Sequence, residues 1–395
     1  MPRCPHPGCP GCPLMGTAYP EQLREKGARV ARELGAALHR EAMPAVPPAV
    51  GSPRTEGYRA GAKLALGRAG PRVALGIYRR GTHRVVDIPA CPVHDPRINR
   101  AARALRGLLR QAPGLVSPGP GGSGWLRYAA FEVSRARGAT RITLVTRTGE
   151  ARGALGALAA RLCERLPEAS GVVWNVNPSE GNEIFGPGWR LIRGAPDLVE
   201  RFGGVVVRAS PGVFLQANRE QAARAYREAL TLLSPGPGDD ALDLYCGVGA
   251  LALHLAPRVR RVVGIEVSPA AVEDARANAR ALGHGNASFR AGPADRELAD
   301  ILAEGFRPRV VSLNPPRRGA DPGVIRALRD SPPRAIAYLS CNPGTLARDL
   351  AALCDGGRFR VEAVVPFDFL PHTDHVEVLA ALRREESEPP RRGGP

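Results

Sequence analysis

The sequence predicts an α/β protein built on a doubly wound sheet, and two observations carry this prediction. Residues 241–250 read as a buried strand that breaks into a glycine turn and continues as a helix. From residue 239 onward, strand and helix patterns alternate as parallel strands joined by crossover helices do. Gly247 and Gly249 let a ligand approach the backbone, and the helix N-terminus points at it, so this turn is expected to hold a nucleotide-like cofactor.

Each element of this domain follows in order. Strand patterns lie at 241–244, 262–266, 287–290, 310–313, 335–339, 359–366 and 375–382, and helical patterns lie at 251–255, 269–282, 296–303, 323–328 and 345–353. No helix separates the last two strands, so the last strand should pair antiparallel with its neighbour. A seven-stranded sheet that ends in this way resembles the class I methyltransferase sheet more than a dinucleotide dehydrogenase.

The preceding half of the chain has a different rhythm. A helix is expected over residues 19–39, followed by a proline-rich linker over 43–53. Alternating stretches between 58 and 208 predict a mostly antiparallel sheet with helices near 98–110 and 153–166, and residues 117–124 read as a loop. We therefore expect an N-terminal cysteine segment with its helix (1–50), a central α+β domain (51–208), the α/β domain (209–383) and a flexible tail (384–395).

Composition limits the class of protein. The chain has 395 residues, 44% of them hydrophobic, and a formal net charge of +17 that comes almost entirely from Arg. The charge favours a polyanionic partner, first of all nucleic acid, although a general bias toward Arg would also produce it. No apolar run of about 18 residues is present and the N-terminus lacks the apolar core of a signal peptide, so we expect a cytoplasmic protein without a membrane partner.

Three cysteines crowd the first twelve residues. Cys4, Cys9 and Cys12 have a spacing typical of metal ligands, and Cys91, in a stiff turn between prolines, is the best fourth ligand. Because disulfides are rare in the cytosol, the set indicates zinc or an iron–sulfur cluster, with an accidental grouping as the alternative. Cys163 lies in a helical pattern and Cys354 near a helix end, and both are expected to be buried bystanders.

Polar residues follow the strands at the edge where ligands bind in this fold class. Glu266 ends the second strand, where a carboxylate can accept hydrogen bonds from both ribose hydroxyls of an adenosine. Asn314 follows the fourth strand, and the prolines after it fix its backbone. The plain alternatives are an exposed acid at a strand end and a proline-rich turn.

The strongest chemical signal is Cys341, which a strand delivers to a turn just before a helix. A helix N-terminus and nearby Arg side chains favour the thiolate form, whereas a bystander thiol would more often lie inside the strand. Downstream, residues 372–377 place imidazoles and carboxylates at a loop-to-strand junction, a place from which a general base can act.

Together these motifs resemble the RNA uracil-5-methyltransferases, most closely the bacterial 23S rRNA branch without the N-terminal TRAM barrel. The segments that carry the resemblance are the N-terminal cysteines, residues 58–63, 75–78, 91–92, 214–218, 243–249, 314–319, 340–342 and 367–377. That branch shares the Asn at position 314 where the wider family has Asp, and the spacing from Cys4 to Cys9 is one or two residues shorter than in the family.

The resemblance implies a function and a set of sites. Gln216, Tyr245, Glu266 and Asn314 would contact S-adenosylmethionine, Cys341 would be the nucleophile and Glu377 the base. Cys4, Cys9, Cys12 and Cys91 would hold a [4Fe–4S] cluster.

The expected reaction is methylation of C5 of one uridine in 23S rRNA by a monomer, through a covalent bond from Cys341 to C6 that Glu377 helps to resolve. The target uridine must first be flipped from its stack, which gives the Arg-rich central domain a role in holding RNA. A tRNA substrate is the alternative. A non-catalytic RNA-binding protein would need no thiol at the ligand edge, and nothing resembles the nicotinamide site that a dehydrogenase would need.

Overall fold

The computed structural model describes residues 4–38, 43–69, 72–117, 124–150, 152–179, 181 and 183–385. The chain divides into two compact units, the first within residues 1–19, 52–222 and 370–374 and the second within 20–51, 223–369 and 375–395. Most of the predicted loop at 117–124 and of the predicted tail at 384–395 lies outside the described residues. No helix in the described part of the chain combines the length and apolar character needed to cross a membrane.

The first unit contains a seven-stranded sheet in the order β3-β2-β1-β4-β5-β6-β7. Every neighbouring pair is antiparallel except β5 and β6, which run parallel because a helix connects them. The mostly antiparallel sheet and both predicted helices are confirmed. The elements are β1 (Gly61–Ala69), β2 (Arg72–Tyr78), β3 (Val85–Asp87), α2 (Pro96–Gln111), β4 (Leu126–Ser134), β5 (Ala139–Thr146), α3 (Arg152–Arg165), β6 (Ala169–Val176) and β7 (Gly188–Gly194), after α1 (Tyr19–Gly35) of the other unit.

One face of this sheet forms the core of the first unit with the two helices. Alternate residues of the strands, such as Leu64, Phe131 and Trp174, pack against apolar residues of α2 and α3. A hairpin of β8 (Leu198–Phe202) and β9 (Val205–Ala209) follows. Arg141 of β5 is fully buried, pairs with Glu132 at 2.8 Å and donates to the carbonyls of Pro196 and Ala209 at either end of the hairpin.

The second unit contains the predicted doubly wound sheet, in the order β12-β11-β10-β13-β14-β16-β15. Strands β10 to β14 are parallel, and β16 runs antiparallel to both neighbours, so the antiparallel last strand is confirmed. The elements are α4 (Arg219–Leu233), β10 (Asp240–Leu244), α5 (Ala250–Leu255), β11 (Arg261–Glu266), α6 (Pro269–Ala281), β12 (Ala287–Ala291), α7 (Ala294–Ala303), β13 (Val310–Leu313), α8 (Pro322–Asp330), β14 (Ala335–Ser340), α9 (Pro343–Cys354), β15 (Phe359–Phe367) and β16 (Glu377–Arg384).

Helix α1 belongs to this second unit. Val30 and Leu34, both fully buried, join the core formed by β10, β13, β14 and β16. The proline-rich segment that follows also packs here, since Gly27 lies against Pro47 and Pro48, and Val50 forms a bridge to Phe367. The sequence groups this helix with the cysteine segment, whereas its buried face is part of the α/β core.

Candidate active site

A glycine turn lies between β10 and α5. Tyr245, Gly247 and Gly249 all have positive φ angles, of 60°, 54° and 78°. A Cβ on Gly249 would lie 2.9 Å from the Phe289 ring, so this position requires glycine for close packing as well as for its backbone conformation. Tyr245 adopts the same left-handed region at a cost of about 1–3 kcal/mol, and its hydroxyl is held by the Asp321 carboxylate at 3.1 Å.

The turn is held in place by two carboxylates, the half-buried Glu266 and the buried Asp243. Glu266, at the end of β11, accepts hydrogen bonds from the backbone N–H of Gly247 at 3.1 Å and of Ser268 at 2.8 Å. Asp243 accepts from the Ser312 hydroxyl at 2.7 Å and from the Ala252 N–H at 3.0 Å, and burial raises its pKa to about 7. Both acids therefore sit directly around the backbone that a cofactor would approach.

A cleft of about 400 Å³, open solvent at its mouth included, lies beyond the carboxyl ends of β10 and β13. Its polar lining comes from Asp243, Tyr245 and Asn314, and Tyr226 of α4 contributes an aromatic side. Glu266 is not part of this lining, but the next residue, Val267, is 65% exposed and offers an apolar surface beside it. Gln216 belongs to the first unit, where Arg219 Nη1 donates to its carbonyl oxygen.

Cys341 and Glu377 meet at the same edge of the sheet. The pairing of β14 with β16 runs from Ala335↔Arg383 to Ser340↔Val378, so Cys341 and Glu377 occupy the next position on each strand. Because β16 is antiparallel, its first residue lies where the parallel strands end. The structure therefore brings the predicted nucleophile and base together, although 35 residues separate them in the chain.

The charges of the two groups influence each other. Burial and the nearby Glu377 carboxylate raise the pKa of Cys341, while the Arg317 guanidinium opposes this by its charge and by a hydrogen bond to the thiol. Burial raises the pKa of Glu377 to about 7, again against the effect of Arg317. Glu377 Oε2 is buried and has no hydrogen-bond partner within the described residues. An unbonded carboxylate oxygen with this pKa is suited to accept a proton at neutral pH.

Arg317 and Asp243 are site residues that are not among those predicted from the sequence. Arg317 lies among several Arg residues in a proline-rich turn, and its role depends on how that turn folds back toward Cys341 and His375, whose Nδ1 is 3.4 Å from Arg317 Nη2. Asp243 reads as part of a buried strand. Its position within the glycine motif is the one signal that could have drawn attention to it.

The three N-terminal thiols and the Cys91 thiol lie in one region of the first unit. Cys4, Cys12 and Cys91 pack around Met15, Tyr58 and Val93. Cys9 lies close enough to Cys4 for a thiol hydrogen bond.

The backbone of Cys91 is fixed by Asn99, whose side chain both donates to and accepts from it at 2.9 Å. Even so, no group of three or more His, Cys, Asp or Glu among the described residues is arranged to hold a metal ion, so the cluster stays a prediction.

Known proteins resemble this chain along most of its length. Residues 204–385 match the family model described as tRNA (Uracil-5-)-methyltransferase. An uncharacterised RNA methyltransferase of Geobacter sulfurreducens is 39% identical over 97% of this chain and 77% of its own length. An uncharacterised RNA methyltransferase of a Nostoc species is 34% identical over 96% of this chain and 82% of its own.

A solved structure is also similar. The tRNA (uracil-54, C5)-methyltransferase of Pyrococcus abyssi, in complex with S-adenosyl-L-homocysteine, is 29% identical and superposes with a TM-score of 0.77 over 95% of this chain and 84% of its own. The α/β sheet predicted from the sequence is thus confirmed as a class I methyltransferase fold. The chain is an enzyme of the RNA (uracil-5-)-methyltransferase family.

Proposed function

We propose that this enzyme methylates C5 of one uridine in 23S rRNA with S-adenosylmethionine as methyl donor. The observation that carries the proposal is the position of Cys341 next to Glu377, with Glu377 Oε2 buried and unbonded. C5 of uracil is a weak nucleophile, and a thiolate that adds to C6 makes it a strong one. A second group must then remove the proton from C5, and Glu377, which lies beside Cys341, can accept it.

The residues of the site divide the chemistry among them. Cys341 forms a bond to C6, which moves the electron pair of the C5–C6 double bond to C5. Bound S-adenosylmethionine would supply the methyl group that C5 takes. Glu377 then removes the C5 proton, the C5–C6 double bond forms again, and Cys341 leaves as a thiolate. Arg317 lies where its charge favours the thiolate both before addition and after elimination.

The cofactor proposal is supported by the polar side chains around the glycine turn. Tyr245 and Asn314 line the cleft, and Glu266 lies across the turn with its carboxylate at the end of β11. A carboxylate at this place accepts ribose hydroxyls, and the exposed Val267 beside it can cover one face of an adenine. We include Gln216 in the proposed cofactor site from its family motif.

We propose that the central domain, residues 51–208, holds the RNA. Lys63 is exposed and lies 4.6 Å from the centroid of the half-buried Phe185 ring. An exposed cation next to a partly accessible aromatic ring suits the phosphates and bases of unpaired RNA. Arg59 belongs to the same 58–63 segment as Lys63, but it lies next to Cys12 and Cys91 with its Nε buried, so Lys63 is the better candidate for an RNA contact.

The [4Fe–4S] cluster is proposed for Cys4, Cys9, Cys12 and Cys91. All four thiols lie in one region, and sulfur ligands of this number suit such a cluster. A cluster there would tie the N-terminal segment to the turn that follows β3. Its role in this proposal is structural.

The choice between rRNA and tRNA needs an experiment of its own. Asn314, which the sequence shares with the 23S rRNA branch that it resembles, favours 23S rRNA, while the matching family model and the Pyrococcus abyssi structure are both named for tRNA. Mapping 5-methyluridine by mass spectrometry in rRNA and tRNA from a deletion strain separates them. Loss of the modification from 23S rRNA alone supports the proposal, and loss from tRNA alone replaces the substrate.

A further inference from the structure

The loop between β13 and α8, residues 314–321, carries two parts of the site. It begins with Asn314 at the cleft and contains Arg317 beside Cys341 and Glu377. The guanidinium of Arg317 can lower the pKa of the Cys341 thiol only while the backbone of this loop keeps its position. The contacts that fix the β13–α8 loop therefore matter for the thiol.

Helix α9 holds the loop along one of its faces. Asn342 Nδ2 and Thr345 Oγ1 donate to the carbonyl of Arg317 at 3.0 and 3.2 Å, and Arg348 Nη2 donates to the carbonyl of Arg318 at 2.9 Å. Residues 342, 345 and 348 are spaced three positions apart, so they lie along one face at the start of the helix. Because α9 begins directly after Cys341, one helix is connected to both the thiol and the Arg317 backbone.

The deepest of these contacts is made by Asp349. Its Oδ2 accepts from the backbone N–H of Ala320 at 2.8 Å and from the Tyr338 hydroxyl at 2.6 Å. The Ala320 N–H is shared with the Tyr338 oxygen at 3.1 Å, which closes a triangle of three groups. Asp349 is 3% exposed and Tyr338 is fully buried, so water cannot replace either partner.

The glycine before Ala320 fits this arrangement closely. Gly319 has φ +87°, and a Cβ there would collide with the side chains of Asp349 and Arg348. The loop backbone thus lies directly on the Asp349 carboxylate. Loss of this acceptor would leave the Ala320 N–H bonded only to the Tyr338 oxygen, which would itself lose its acceptor.

We propose that Asp349 is a positioning residue, which holds the β13–α8 loop through Ala320 and Tyr338 so that Arg317 stays beside the Cys341 thiol. The inference rests on the proposed function in one respect, that Cys341 is the nucleophile. Asp349 touches neither Cys341 nor Glu377 in the described contacts, and it acts only through the loop. It adds a residue of α9 to the machinery that prepares the thiolate.

The test measures the pH profile of Cys341 alkylation by iodoacetamide in the full chain, resolved by peptide mass spectrometry. Asp349→Ala should slow alkylation at pH 8 by roughly threefold to tenfold and displace the profile to higher pH, the change in thiolate fraction that a pKa rise of up to about one unit produces. Asp349→Asn keeps an acceptor oxygen for Ala320 and Tyr338 but loses the ion pair of Asp349 Oδ1 with Arg348 at 2.7 Å, so its profile should lie closer to that of the wild type than the profile of Asp349→Ala does.

Asp240→Ala is the matched control, because Asp240 is also a buried carboxylate with arginine partners, Arg260 and Arg261. It lies at the amino end of β10, away from the carboxyl ends of the strands where Cys341 lies. A wild-type profile for Asp349→Ala overturns the proposal, as does an equal shift in Asp349→Asn or in Asp240→Ala. Should Asp349→Ala not fold, Tyr338→Phe decides, with a displaced profile expected and an unchanged one contradictory. Methyl transfer to RNA is measured separately, so a shifted profile in an enzyme without that activity upholds the positioning role and removes the proposed function.

Discussion

Cys341 and Glu377 occupy facing positions one step beyond the Ser340↔Val378 pair of the β14–β16 ladder. Neither position is set by local sequence, because the two residues come from a parallel strand and from the antiparallel strand that returns beside it. Arg317 reaches both from the β13–α8 loop. The proposed chemistry depends on this three-residue arrangement.

Methylation should depend on pH through Glu377. Its pKa of about 7 means that the carboxylate is half ionised near neutrality and protonated below it. The proton acceptor is therefore lost as the pH falls through 7, and multiple-turnover rates should fall with it, in the same direction as the loss of the Cys341 thiolate. A rate that stays level between pH 8 and pH 5.5 contradicts this assignment.

The burial of Glu377 should also lower the free energy of unfolding. A carboxyl group whose folded pKa lies above its unfolded value of 4.5 destabilises the fold increasingly as the pH rises from about 4.5 to 7. Glu377→Gln should then be more stable than the wild type at pH 8, by on the order of 1–3 kcal/mol, and the difference should vanish near pH 4.5. Chemical denaturation at the two pH values measures it, and equal stabilities at pH 8 would show that the carboxylate is not penalised.

Cofactor binding should depend on Glu266. Glu266→Ala is expected to weaken S-adenosylmethionine binding by about 1–3 kcal/mol, because hydrogen bonds to a charged acceptor are lost. Glu273→Ala is the control, since Glu273 is an exposed acid on the next helix that pairs with Arg276. Calorimetry should show no binding of NAD to either protein. Unchanged affinity in Glu266→Ala would remove this residue from the site.

The cysteine set predicts a coloured protein. Anaerobic purification should give a brown enzyme whose iron and visible absorbance are lost in Cys12→Ser and in Cys91→Ser. Cys163→Ser is the control, because Cys163 packs against the core of the central sheet. Colourless protein with one equivalent of zinc would keep the ligands and change the metal, and metal-free protein would end the proposal.

RNA affinity should fall steeply with salt, because Arg and Lys contacts with phosphate release counterions. Lys63→Ala should lower both the affinity and the slope of log affinity against log salt. Arg260→Ala, which removes an exposed cation already paired with Asp240, should change neither. Filter binding between low and moderate salt measures the slope, and a flat dependence contradicts the charge argument.

Most of the fold could be predicted because periodicity carries it. In the second unit every predicted strand and helix is present, since buried parallel strands and amphipathic helices alternate clearly. Helix α4 has no counterpart in the prediction. Its buried face joins Ala222, Ala225 and Ala229 to Tyr226, Leu230 and Leu233, a helical spacing from which this helix could have been predicted. The β8–β9 hairpin also has no counterpart in the prediction, because its two strands are only five residues long.

The site residues that could be predicted from the sequence are those that lie at or directly after the end of a strand. Glu266, Asn314 and Cys341 each follow an apolar run directly, so the common edge of a parallel sheet brings them together. Arg317 and Asp349 could not be found in this way. Their roles arise from how a loop folds onto a helix, and neither hydrophobic pattern nor spacing reports this contact.

The most direct test of the proposed mechanism compares Cys341→Ala with Glu377→Gln on substrate RNA and S-adenosylmethionine. Cys341→Ala should form no covalent RNA adduct and transfer no methyl group. Glu377→Gln should still attack and methylate but fail to eliminate, so a methylated protein–RNA adduct should survive denaturing electrophoresis. Multiple turnover by Cys341→Ala, or normal turnover without adduct by Glu377→Gln, would contradict the assigned roles.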